Sequence, residues 1–286
     1  MKISPYKFFN YKENTNYYSD MYKATDFKKS YPANAKRLEI FLSLIKKYKP
    51  KKIIDAGCGA GMPLIKIKKL GFNICGYDKA KNMVKEAKIN LKKNNLNENL
   101  IELGDFENPG HIKNNSVNCI LGMGAFYYSK KFVKTLINQK KKLKKNGHLI
   151  FSLRNQLFDI ATLNDYSIKF YSQLYEIKRF KPKIKRKYIK LFSGYTNRKK
   201  FDLKNLDDKK VFSTTHNPLT IENELLNKIG LKLNGIYFYH YHAIPPIFEN
   251  IDKINFRKQS YKIEKPNDWR GFFIASGFVV DCQKVK

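Results

Sequence analysis

Apolar residues along the middle of the chain follow two rhythms in turn. Short buried-type runs, such as the Ile53-Ile54 pair and the NICGYD stretch at 73–78, read as strands. Between them lie stretches with apolar residues at helical spacing. Ile40, Phe41, Leu44 and Ile45 make one such stripe, which predicts a helix over 35–48 ended by Pro50. The same reading predicts strands at 52–56, 73–78, 100–105, 117–123 and 148–153. It places helices from near Met62, over 80–93 and over 130–145, the last closed by Asn146-Gly147. Strands alternating with amphipathic helices imply parallel βαβ units and a doubly wound α/β sheet. After Arg154 the alternation breaks for about 60 residues before a helix at 220–229 ending at Gly230, a strand at 231–242 and a last, seventh strand at 271–280.

Composition changes this picture little. Apolar residues make up 42% of the 286, enough for a packed core and too many for a disordered chain. No run approaches the roughly 18 consecutive apolar residues of a membrane span, and the N-terminus has no apolar core of a secretory signal, so the expected location is cytoplasmic. Cys58, Cys75, Cys119 and Cys282 form no CxxC pair and read as small buried hydrophobes rather than metal ligands. The formal charge of +33 taken alone points to a polyanion. Yet seven of the 57 basic residues are Arg, the residue nucleic-acid readers favour, and Lys, Asn, Ile and Tyr are abundant throughout. Compositional drift is therefore the preferred account, and nucleic acid is a partner kept open but not favoured.

The chemistry concentrates at Asp55-Ala56-Gly57-Cys58-Gly59-Ala60-Gly61, directly after an apolar strand and before a helix. Glycines there permit a tight turn and close approach of backbone N–H groups to a ligand, although nicotinamide and flavin enzymes use such turns too. Asp78 ends the next strand, 21 residues after Gly57, a spacing that also fits a dinucleotide site. Asp105 ends the third strand, with Phe106 following.

An acidic residue followed by three alternating glycines, with acids on the next two strand ends, resembles class I S-adenosylmethionine (SAM) dependent methyltransferases, closely over 50–153 and loosely over 219–280. The resemblance implies SAM as cofactor and an antiparallel last strand in the mostly parallel seven-stranded sheet. It implies that Gly57, Gly59 and Gly61 pass under the methionine and ribose, and that Asp55 holds the turn and reaches the amine through water. Asp78 would accept from the ribose hydroxyls, Asp105 from the adenine amino group, and Phe106 would line the adenine pocket. Ala56, Lys79, Gly122 and Met123 join the implied cofactor wall. Arg37 is placed like the Arg of ubiquinone-pathway O-methyltransferases that reaches the SAM carboxylate; an exposed surface Arg is the alternative. Asn118 departs from the family, where Asp is common early in this strand.

Residues 1–48 are then an N-terminal lid and helix, and 49–286 the methyltransferase domain with a substrate-cap insertion at about 155–217. Acceptor-side candidates stand at strand ends: Tyr127, Arg154, His240 and His242. The two histidines share a strand face and suit a general base, a substrate contact or plain rim residues; no third ligand supports a metal. Arg154 suits either a salt bridge or an anchor for an acceptor carboxylate or phosphate. His216, Trp269 and Arg270 are weaker candidates. The expected reaction is O-methylation of a small molecule, which can be anionic, with an RNA or protein methyltransferase as the alternative.

Overall fold

A computed structural model describes residues 4–11, 21–22, 26–196 and 211–285. Eight strands form one sheet: β1 (Ile53–Ala56), β2 (Ile74–Asp78), β3 (Ile101–Leu103), β4 (Val117–Gly122), β5 (Leu143–Asn155), β6 (Thr215–His216), β7 (Leu231–Tyr241) and β8 (Ala275–Lys284). Their order is β3-β2-β1-β4-β5-β8-β7, with the short β6 beside the end of β5. Strands β1 to β6 pair in parallel, whereas β8 runs antiparallel to both β5 and β7. This is the Rossmann-like arrangement expected, with one short strand more.

Period-two alternation sends side chains to two faces, and each face has its own core. Cys119, Leu121, Ile150 and Val279 join one cluster with Leu38, Phe41 and Ile45 of α1 (Ala33–Tyr48), Leu64 and Ile67 of α2 (Met62–Lys69), and Ala87 and Leu91 of α3 (Lys81–Lys93). Ile120, Leu149, Phe151, Phe278 and Val280 point the other way, onto Phe132 and Leu136 of α4 (Phe132–Lys142) and Ile221 and Leu226. Helices on both faces make the sheet doubly wound.

Three boundaries differ from expectation. The fourth helix stops at Lys142, and Leu143 already pairs with Val117. Asn146-Gly147 therefore lies inside β5, where the partners jump from Val117↔Leu143 to Cys119↔His148; the positive φ of Asn146 (62°) turns a bulge, not a helix end. The 220–229 helix is a wide turn over Glu222–Leu226 followed by a tight one over Asn227–Ile229. The apolar run from Gly271 begins as a single helical turn, Gly271–Ile274, and enters the sheet at Ala275. There the buried Asn155 amide donates to the carbonyls of Gly271, Phe272 and Ala275, fixing a turn that hydrophobicity alone cannot distinguish from a strand.

Because β5 and β7 are parallel, the chain leaves both at the same sheet edge. One excursion carries α5 (Phe158–Ala161), α6 (Asp165–Leu174) and α7 (Pro182–Thr196); the other, after Tyr241, carries α8 (Lys253–Ile263). A short helix, Pro5–Phe9, is described in the N-terminal segment. The aromatic N-terminal residues Tyr17 and Tyr18 and the 201–210 part of the insertion lie outside the described residues. No described helix is long and apolar enough to cross a membrane.

Candidate functional site

At the carboxyl ends of β1, β2 and β4 lies a cavity of about 520 Å³. Its floor is the turn after β1. Gly57 has φ 81°, and a Cβ there would sit 2.6 Å from that of Ala125, so the crossing of the two turns demands glycine. The Gly57 and Cys58 N–H groups donate to Tyr77 O, tying the turn to β2. Asp78 accepts from the N–H groups of Gly59 and Ala80, both at 2.9 Å. Burial raises the Asp78 carboxyl, while those N–H donors pull it back. Asp105 is held by Lys79 Nζ at 2.6 Å, and the Phe106 carbonyl accepts from Gln139.

Deeper in, the helix before β1 delivers Arg37, 6% exposed. Its Nη2 donates to Tyr22 Oη (3.0 Å) and Asn34 Oδ1 (2.8 Å). A Cβ at Gly124 would meet the guanidinium at 2.6 Å, so this second glycine lets it lie on the backbone after β4. Arg37 Nε and both Asp55 carboxylate oxygens are buried and have no partner among the described residues. Burial pushes the Asp55 carboxyl up to about 7, with the Asp78 charge adding and Arg37 opposing.

The outer wall is aromatic and basic. The Arg154 guanidinium lies 5.0 Å from the Tyr127 ring centre, and among the described residues no carboxylate pairs with it. Lys130 and Lys131 border the same space. The insertion's returning strand fastens this wall, since Thr214 N donates to Tyr127 O at 2.8 Å. Across the top, Phe9 packs edge-on to Tyr128, and Asn10 accepts from the backbone N–H and the side-chain amide of Asn82 in α3.

Of the expected site residues, Arg37, Asp55, Gly57, Gly59, Gly61, Asp78, Lys79, Asp105, Phe106, Met123, Tyr127 and Arg154 line this one cavity. Ala56 is in the core behind it, and Gly122 lies under the Phe126 ring. His240 and His242 do not line it. Their rings are 4.6 Å apart, as two residues on one strand face should be, but they face the second excursion. His240 (φ 61°) stacks on Tyr31 and bonds Ser276; His242 packs between Phe158 and Phe256. Burial drives His240 well below its ordinary range and His242 down to about 4. The half-buried Glu264 carboxylate, raised to about 7 by desolvation, accepts from the His240 and Tyr241 N–H groups and from the Tyr31 hydroxyl. His216 lies against Phe132, Arg270 pairs with Asp268, and Trp269 is exposed. Sequence reasoning missed Asn34, Tyr6, Lys130 and Lys131; nothing local to those residues signals that the chain folds them over the cavity.

A family model described as a methyltransferase domain matches residues 47–226. The chain belongs to this SAM-dependent methyltransferase family. No curated protein matches the methyltransferase significantly in sequence. Among solved structures, it shares 16% identity with a SAM-dependent methyltransferase of Thermotoga maritima described as a possible histamine N-methyltransferase, over 96% of this chain and 97% of that one, with a TM-score of 0.52. Magnesium protoporphyrin IX methyltransferase of Synechocystis PCC 6803, with bound SAH, gives a TM-score of 0.58 at 11% identity over 98% and 97%. At such identities the likeness is one of fold. The donor set fits the cofactor: buried Arg37 Nε and both buried Asp55 oxygens have no partner among the described residues, and an α-amino-carboxylate carries the two charges that would satisfy them.

Proposed function

We propose that this methyltransferase moves the SAM methyl group to an oxygen of a small anionic acceptor. Arg154 carries the reading: a largely buried guanidinium at the cavity wall, without a carboxylate among the described residues, is a place where an incoming anion removes a desolvation cost. Lys130 and Lys131 add to the attraction. No imidazole lines the cavity, which suits an acceptor oxygen that arrives already deprotonated, stabilised as an oxyanion by these cations.

SAM supplies a sulfonium-activated methyl group, transferred by in-line displacement. In this reading Asp78 would hold the ribose hydroxyls, Asp105 the adenine amino group, Arg37 the carboxylate and Asp55 the ammonium, over the Gly57–Gly61 turn. The remaining task is alignment and exclusion of water. The Pro5–Phe9 helix and the 155–217 insertion would serve as cap, the first closing over Tyr128 and the second steadying Tyr127.

The test is turnover of labelled SAM on a pool of small carboxylates, phenolates and phosphates. Arg154→Met should raise the acceptor KM by about 100-fold, the loss of one charge-assisted pair, and leave SAM affinity unchanged. Turnover on RNA or protein with none on the small-molecule pool would sink the reading in favour of a macromolecular acceptor.

A further inference from the structure

Twelve of the twenty exposed large apolar side chains among the described residues fall in two short segments, 174–191 and 244–273. Together these are less than a fifth of the chain. Neither is scattered surface. In the first, α6 and α7 fold back on each other, held by Tyr188, whose hydroxyl bonds Ser172 and the Ile168 carbonyl. The connecting tip presents Leu174 (59% exposed), Tyr175 and Phe180 to solvent. In the second, Ile247, Ile251 (80% exposed) and Trp269 (70% exposed) stand out. Both segments belong to excursions that leave the sheet where β5 and β7 end, and the roots of those excursions are joined by the Phe158–His242 ring contact and by the Asn155 amide on the Gly271 and Phe272 carbonyls. Most of the exposed large apolar side chains among the described residues thus lie on the two excursions from one end of the sheet.

The charge around that surface has one sign. Segment 174–191 holds eight Lys and Arg against a single acid, Glu176, which pairs with Arg179. In 244–273 the four acids are engaged: Glu249 with Arg257, Asp268 with Arg270, Asp252 as the cap of α8, and Glu264 with the His240 N–H. Lys253, Lys258, Lys262 and Lys265 remain as uncompensated charge.

We propose that this end of the molecule seats on an anionic lipid bilayer, with the helical-hairpin tip, Ile251 and Trp269 entering the headgroup layer and the lysines facing the lipid phosphates. Aliphatic tips among lysines are the chemistry of interfacial binding, and a tryptophan fits the polar–apolar boundary. A second copy of the chain is disfavoured because two such surfaces would oppose like charges. Seven of the twelve exposed apolar side chains are aliphatic and offer no ring for a base to stack on, which favours a lipid surface over single-stranded RNA; the rings of Tyr175, Phe180, Phe248, Trp269 and Phe273 would suit either, so RNA is an outcome of the test.

The chain's single tryptophan is the reporter. The full protein is mixed with vesicles of phosphatidylcholine, with and without phosphatidylglycerol, and followed by co-sedimentation and by Trp269 emission. Expected are binding to the anionic vesicles, a blue shift, quenching by brominated acyl chains, and at least tenfold weaker binding to phosphatidylcholine alone. Leu174→Glu with Ile251→Glu should weaken binding more than tenfold at unchanged thermal unfolding. Lys178→Gln with Lys181→Gln should cost about fivefold per charge. The proposal is overturned by absence of vesicle binding, or by binding without a blue shift that the glutamates leave intact. Retention on single-stranded RNA at a salt that releases the vesicles, or self-association abolished by the same glutamates, overturns it equally.

Discussion

Asp78, with backbone donors from Gly59 on the turn and Ala80 just before α3, is the position at which loss should be most specific. Asp78→Ala is expected to weaken SAM binding by about 100-fold in calorimetric titration, the loss of two charge-assisted hydrogen bonds. Gly57→Ala acts on the fold instead, since it combines a positive φ with a steric conflict at Ala125, and should cost about 3 kcal/mol in denaturant unfolding. Asp55 gives a pH dependence of known sign. Its folded-state carboxyl titrates at about 7, far above the unfolded value, so its contribution to stability is full below the unfolded value and is lost as pH rises through 7. Asp55→Asn should therefore gain thermal stability relative to the parent between about pH 4 and pH 8 in the absence of SAM. The comparison must be between the two proteins at each pH, because His242, lowered to about 4, stabilises in the opposite direction as it loses its proton. These positions were legible in the sequence because each is local: a glycine turn or an acid at the end of a recognisable strand. His240 and His242 were not placed correctly by the same logic. A strand end tells where a residue is, but its surroundings depend on Phe158, Phe256 and Tyr31, which arrive from distant segments.

At the level of elements, Asn155 is the fastening between β5, the insertion and the turn before β8. Its amide serves three carbonyls, its oxygen accepts from Leu157 N, and the residue is buried. Asn155→Leu should destabilise by roughly 2–4 kcal/mol, because the orphaned groups cannot reach water. Retained stability in urea would show that the turn finds other partners. The alternation of strands and helices was readable where one period held over a whole element, as in α1 and β4. It failed where long-range pairing overrode the local signal. Leu143 leaves the helical rhythm because Val117 is there to pair with it, and Gly271–Ile274 stays out of the sheet because Asn155 holds its carbonyls.

Over the whole molecule, a formal charge of +33 makes self-repulsion a standing cost of compactness. Raising sodium chloride from about 0.01 M to 0.5 M shortens the screening length several-fold, so the melting temperature should rise. A fall would mean that the surface ion pairs outweigh the repulsion. The charge leaves nucleic acid open as a partner, and what its placement beside exposed aliphatic residues serves is what the vesicle and RNA measurements would decide.

The position of β8 has a consequence for how the chain acquires its structure. It follows every other strand in sequence yet lies between β5 and β7, with His148 facing Gln283 across 135 positions of chain. During synthesis β1 to β5 can assemble in order as they leave the ribosome, but β7 has no edge to join until β8 emerges. The growing chain therefore exposes the β5 and β7 edges together until the late strand arrives, and long-range pairing that leaves edges open is slow and prone to aggregation.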